Sequence, residues 1–183
     1  DQIKEDAKTY ATDYLAVKGQ NMVPSRNVAK CPYVINTGAN DAYIRIRVMI
    51  PSAANGDYVD VKDGGVITNQ WCSSCTSTGE FQHGDKGNIW PVITQGVEKD
   101  GVTYDVYTFT RIEPLKAGAM TEWNVWNFIG IDKNATSADI QKAIDAGAIT
   151  ATSDTMTLNV LVEADAIQAE GFKDAAAAWA AFK

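Results

Sequence analysis

The sequence predicts an all-β fold, an antiparallel β-sandwich decorated by short helices. Three observations lead there. Residues 43–50 alternate strictly, with Tyr43, Arg45, Arg47 and Met49 on one side and Ile44, Ile46, Val48 and Ile50 on the other. That period of two marks a half-buried strand whose Ile/Val row faces the core. Val102 to Ile112 is dense in β-branched and aromatic residues, which suit a pleated surface. Turn signals separate several such runs, the helical stretches are short, and no strand–helix–strand rhythm is present.

Residues 1–18 read as a helix, with Ile3, Ala7, Tyr10, Ala11 and Tyr14 on one face and Gly19 as its stop. A connector follows over 20–27. Residues 27–50 contain two extended runs around the turn-forming cluster Asn36–Asp41, which predicts a β-hairpin or β-arch. Tyr58 to Lys62 is a short alternating run, and 68–87 is a polar, turn-rich loop excursion. Residues 88–95 can form a strand, but Pro91 confines it to an edge or a bulge. Lys99-Asp100-Gly101 is a strong turn between apolar runs. A break at Glu113–Gly118 precedes a further strand over 121–131.

Thr136 is placed to cap a helix, with Asp139 in the capping-box position and Gly147 as the stop. Its modest apolar side is Ala138, Ile140, Ala143 and Ile144. The last strand covers 155–164, with Met156, Leu158, Val160 and Val162 on one face. A closing helix from about Lys173 aligns Phe172, Ala176, Trp179 and Ala180, so Trp179 is expected to pack on the sheet. The domain reading is an N-terminal helical segment, 1–19, followed by one β-sandwich domain, 20–183, with a helix insertion at 134–147.

A net charge of −7 argues against a general nucleic-acid binder or an anionic-membrane binder, both of which need basic excess. No run approaches the roughly 18 apolar residues of a membrane span. With a single His, conventional acid/base and metal catalysis are sharply limited.

Asn36-Thr37-Gly38-Ala39-Asn40-Asp41-Ala42-Tyr43-Ile44-Arg45-Ile46-Arg47-Val48 resembles a marker segment of the TasA/camelysin family, secreted biofilm-matrix proteins of Gram-positive bacteria released by a dedicated signal peptidase. Two further segments lie in matching order. One is the aromatic strand from Tyr107 followed by Pro114, Leu115 and Gly118. The other runs from Val162 through Gly171 and Phe172 to Trp179. The resemblance implies a jelly-roll-like sandwich outside the cell, in the matrix or on the cell surface. It also implies self-assembly into a fibre, a homopolymer in which a donated strand completes a neighbour's sheet. The family's donated strand lies near its N-terminus, where this chain reads as a helix.

Trp71-Cys72-Ser73-Ser74-Cys75 has the spacing of a thioredoxin-type redox motif but lacks the following helix. In an exported protein, a disulfide between Cys72 and Cys75 bracing the excursion is the simpler reading. Cys31, Cys72, Cys75 and His83 also compose a Cys3His set suited to tetrahedral zinc. Asp57, Asp60, Asp63 and Asp85 invite calcium, yet their spacing fits no EF-hand loop. Arg45 and Arg47 can meet an acidic partner or simply keep an outer face wet. Trp71, Trp90, Trp123 and Trp126 can stack on sugars or pack in the core. Asn134-Ala135-Thr136 has the form of a glycosylation sequon.

Camelysins are described as metallopeptidases, but a chain with one His cannot supply a His-Glu-x-x-His motif, and no nucleophile elbow or Walker loop is present. The expectation is therefore a non-enzymatic, self-associating extracellular structural protein without a cofactor. Other matrix proteins or glycans are further partners, a secreted glycan- or protein-binding module is the alternative, and a camelysin-like protease the second alternative.

Overall fold

The computed structural model describes residues 27–29, 33–55, 67–71, 91–121 and 126–182. Its centre is β2 (Ala42–Pro51), the alternating run that stands out in the sequence. β2 pairs antiparallel with β5 (Val102–Thr110) on one side and β9 (Leu161–Gln168) on the other. β5 pairs in turn with β4 (Val92–Lys99), giving a four-stranded sheet of order β4-β5-β2-β9. As Asp100-Gly101 predicts, β4 and β5 form a hairpin, with both turn residues at positive φ (52° and 79°). As Pro91 requires, β4 is an edge strand among the described residues, and a register shift between Thr94 and Val97 interrupts it. Gly96, at φ 72°, sits in that bulge.

A second, three-stranded sheet has the order β1-β6-β3, from Asn27–Ala29, Trp126–Ile131 and Ile67–Trp71. A small ladder joins β7 (Ile149–Ala151) to β8 (Met156–Leu158). Residues 27–50 thus form no hairpin: β1 pairs with β6, and the segment before the turn meets Met120 through an Ile35 bridge. The arch reading is the one realised.

The Ile/Val row of β2 is the core. Ile44 and Ile46 are 1% exposed, and Val48 and Ile50 are 0% exposed. Fully burying such a side chain is worth roughly 1.5–3 kcal/mol. Phe109 and Tyr107 extend the row across β5, while Ile129 and Ile131 of β6 pack against it. The remaining cover is helical. α1 (Ser137–Asp145) places Ala143 in this cluster with Ile140 and Ile144 against it, and Ile149 of β7 joins them.

This arrangement overturns the expected all-β, jelly-roll sandwich. A helix supplies part of the layer that strands would fill in a jelly roll. Among the described residues, β4 and β9 each have only one neighbour, so the sheet stays open. The described residues form a small mixed α/β domain with two helices and open sheets. The helix expected as an insertion at 134–147 is an integral wall of the core.

α1 starts as read. The Thr136 hydroxyl accepts from the Asp139 N–H at 3.2 Å, and the Asp139 carboxylate accepts from the Thr136 N–H at 3.0 Å. Gly147 ends it at φ 72°, where its N–H reaches the Ile144 carbonyl.

The opposite face of β2 is covered rather than wet. α2 (Ala175–Ala181), capped by Asp174, seats Ala175 and Ala178 on Tyr43. The expected stripe is therefore rotated: Ala176 and Ala180 are exposed. Trp179 stacks on the Arg45 guanidinium at 4.6 Å, and Phe182 lies 5.0 Å from it. At the other end, Met49, Tyr104 and Val106 form a small apolar cluster with Leu161. Between them, Arg45 pairs with Asp165 at 2.6 Å, and Arg47 reaches Asp165 and Glu163, each at 3.1 Å. Lys99 also pairs with Glu163. The arginines are thus engaged within the chain.

The expected strand over 155–164 breaks at Asn159. Its side chain donates to the Gly147 carbonyl at 2.7 Å, separating β8 from β9. The N-terminal helical segment and the 68–87 excursion fall outside the described residues, apart from the β3 backbone.

Candidate functional site

Three segments far apart in sequence meet at one end of the four-stranded sheet. Asn36 organises the first. Its side-chain carbonyl accepts from the Gly38 N–H at 3.0 Å, and its amide donates to the carbonyls of Asn40 and Leu115, each at 2.9 Å. A Cβ on residue 38 would stand 3.1 Å from the Asn36 oxygen, so glycine suits this tight turn. Leu115 is 2% exposed and exchanges backbone hydrogen bonds with Ala42 at 2.8 and 3.0 Å. The Gly118 N–H donates to the Asn36 carbonyl at 2.8 Å, with Gly118 at φ 72°.

Asp41 ties the three together. Its carboxylate accepts from Lys116 Nζ at 2.7 Å and from the Ala117 N–H at 3.0 Å, while its backbone carbonyl accepts from the Ala169 N–H at 2.9 Å. The Lys116 hydrogen bond, followed by that from Ala117, holds the Asp41 carboxyl below its ordinary range. The same bond raises Lys116. Tyr43, Pro114, Phe172 and Asp41 line a shallow open depression there with Ala39, Asn40, Ala169 and Glu170. Gly171, at φ 90°, turns the chain between β9 and α2, bringing Phe172 and Trp179 to Tyr43.

The structure therefore gathers Asn36, Gly38, Asn40, Asp41, Tyr43, Pro114, Leu115, Gly118, Gly171, Phe172 and Trp179 at one seam. Thr37 lies exposed on the same turn. Chemically, the seam joins chain segments. Among the described residues it holds the Asp41–Lys116 ion pair and a set of backbone bonds, with no paired carboxylates or activated nucleophile.

The sheet edges are a different kind of site. Because the Ala169 N–H points to Asp41 on the β2 side, the ladder turns the odd-numbered residues of β9 inward. Val162, Ala164, Ala166 and Gln168 then direct their N–H and C=O groups away from β2, to an edge that has no strand partner among the described residues. Their side chains share the face of the Ile/Val row, opposite Val48, Ile46 and Ile44. Yet Val162 is 47% exposed, and Ala164 and Ala166 are exposed too. β9 carries no Pro and no bulge over its eight residues. β9 does carry charge, at Glu163 and Asp165, but both acids are paired with Arg45, Arg47 and Lys99 of the same chain.

The zinc set Cys31, Cys72, Cys75 and His83, including the Cys72–Cys75 disulfide candidate, lies outside the described residues. So do Asp57, Asp60, Asp63 and Asp85, and Trp90 and Trp123. Trp71 and Trp126 are described by their backbones in β3 and β6. Among the described residues, no group of three or more His, Cys, Asp or Glu side chains is placed to hold a metal. No described helix is long and apolar enough to cross a membrane.

Beyond residue 164 the β9 strand is hard to see in the sequence, because Ala, Glu, Asp and Gln are poor strand formers. The legible signal was complementarity, with acids spaced two apart to face Arg45 and Arg47. No family model, curated protein or solved structure matches this chain.

Proposed function

We propose that this chain is an extracellular structural protein that self-associates by β-strand addition. The observation that carries the reading is the edge of β9, unpartnered among the described residues: outward backbone groups on alternate residues beside an exposed apolar strip. An added strand would satisfy those groups and cover the strip in one step. Placement outside the cell and a matrix role come from the sequence resemblance alone. The edge supports association independently of that resemblance.

The test is electron microscopy and light scattering across a concentration series of the wild type and Ala164→Pro. Proline at 164 removes an outward N–H while leaving the inward ladder bonds. Assemblies that grow with wild-type concentration and are lost in the variant support the proposal. A wild type that stays monomeric throughout, or a variant that assembles equally well, overturns it.

A further inference from the structure

Resting on that self-association reading, we infer that the strand added to β9 is β4 of a second copy, so that subunits join head to tail. The backbone of β4 supports this. The Ser52 N–H donates to the Thr103 carbonyl and the Arg111 N–H to the Ile44 carbonyl, so the odd-numbered residues of β5 face β2. Val106 and Thr108 therefore bond to β4 through their partners Thr94 and Val92. Ile93 and Gln95 are left pointing outward, between Pro91 and the Gly96 bulge. Ile93 is 51% exposed.

The two edges match. All three pairings in β4-β5-β2-β9 are antiparallel, so β4 and β9 run in opposite directions. A second copy placed in line with the sheet, same face up, brings its β4 antiparallel to β9. Residues with outward backbone groups carry their side chains on the core face at both edges. Ile93 belongs to the same cross-strand row as Tyr107, Val48 and Val162. In the central registers, Ile93 of the second copy lands beside Ala164 or Ala166, over the exposed strip.

Charge selects this occupant over β9 itself. In every central antiparallel register of β9 on β9, Glu163 or Asp165 stands opposite a carboxylate of the other copy, which is destabilising. The free half of β4, Val92 to Gln95, carries no charge. Val92 and Thr94 can stand beside those acids without repulsion. Because the contact joins two different edges, it can repeat from copy to copy, giving an open filament unless the rotation between copies closes it into a ring.

The experiment mixes two blocked copies and weighs the products by analytical ultracentrifugation. Ile93→Pro blocks β4 and leaves β9 open; Ala164→Pro does the reverse. Far-UV circular dichroism and thermal melts verify folding, with Ile93→Asp and Ala164→Asp replacing a proline variant that does not fold. Each variant alone is expected to be monomeric, with any residual association at least tenfold weaker than wild type. A 1:1 mixture is expected to form a two-chain complex and nothing larger. Dimers of Ala164→Pro alone would point to β4 on β4 and overturn the inference, as would continued assembly of Ile93→Pro. In both cases self-association stands; a monomeric wild type, or an Ala164→Pro variant that assembles as fully as wild type, removes the underlying reading.

Discussion

Replacing Thr136 by Ala tests whether α1 is a wall of the core or an ornament on it. The substitution removes the hydroxyl that accepts from the Asp139 N–H at 3.2 Å and donates to its carboxylate at 2.6 Å. Loss of a threonine N-cap costs about 1 kcal/mol, in a range of roughly 0.5–2. Ala143, 0% exposed, carries α1 into the same cluster as Ile46 and Phe109, so the cost belongs to global unfolding. With a urea dependence of about 1–3 kcal/mol per molar, the midpoint should fall by about 0.3–1 M. The melting temperature should fall by about 2–4 °C. Urea titrations followed by far-UV circular dichroism and by tryptophan fluorescence should shift together. An early loss of helical signal with an unmoved fluorescence transition would show that α1 unfolds alone, and would refute its place in the core.

Three further outcomes follow from the same geometry. Ile46→Ala empties a fully enclosed site and should cost about 2–5 kcal/mol in denaturant titration; a loss under about 1 kcal/mol would contradict the assignment of the core row. Asp41 has its carboxyl depressed by Lys116 and Ala117, so its stabilisation is complete above the ordinary value of 3.8 and fades as pH falls through the lowered one. Melting temperatures of wild type and Asp41→Asn should therefore differ at neutral pH and converge in acid; a difference that persists in acid would contradict the pairing. Arg45→Met removes the cation stacked on Trp179, worth about 0.5–2 kcal/mol, and should speed amide exchange across α2 relative to β5. Unchanged exchange in α2 would mean that its alanines alone hold it.

Where side chains repeat with strong preferences, the fold was legible. The Ile44–Ile50 row, the Asp100-Gly101 hairpin, the edge position forced by Pro91 and the Thr136 capping box each rest on local chemistry that tertiary contacts reinforce. The layer arrangement was not legible, because Ala143 and Ile140 show only a thin apolar side, and burial against β2 is decided by the whole chain. β9 was missed for a related reason. Its Ala, Glu, Asp and Gln residues disfavour a strand, and ion pairs with Arg45, Arg47 and Lys99 override that tendency. The seam was visible as three motifs, but nothing in the sequence says that Asn36 and Asp41 bind the 115–118 segment. Arg45 and Arg47, read as residues of a wet outer face or a contact for an acidic partner, instead hold acids of their own chain.

Residue-resolved amide exchange on β9, in dilute and in concentrated samples, tests the assembly most directly. Glu163, Asp165 and Ile167, bonded to β2, should be protected in both samples. Val162, Ala164, Ala166 and Gln168 should exchange freely when dilute, and Ala164 and Ala166 should become protected when concentrated. Outward amides already protected in the dilute monomer, or Ala164 and Ala166 still unprotected in the concentrated sample, would contradict strand addition at this edge.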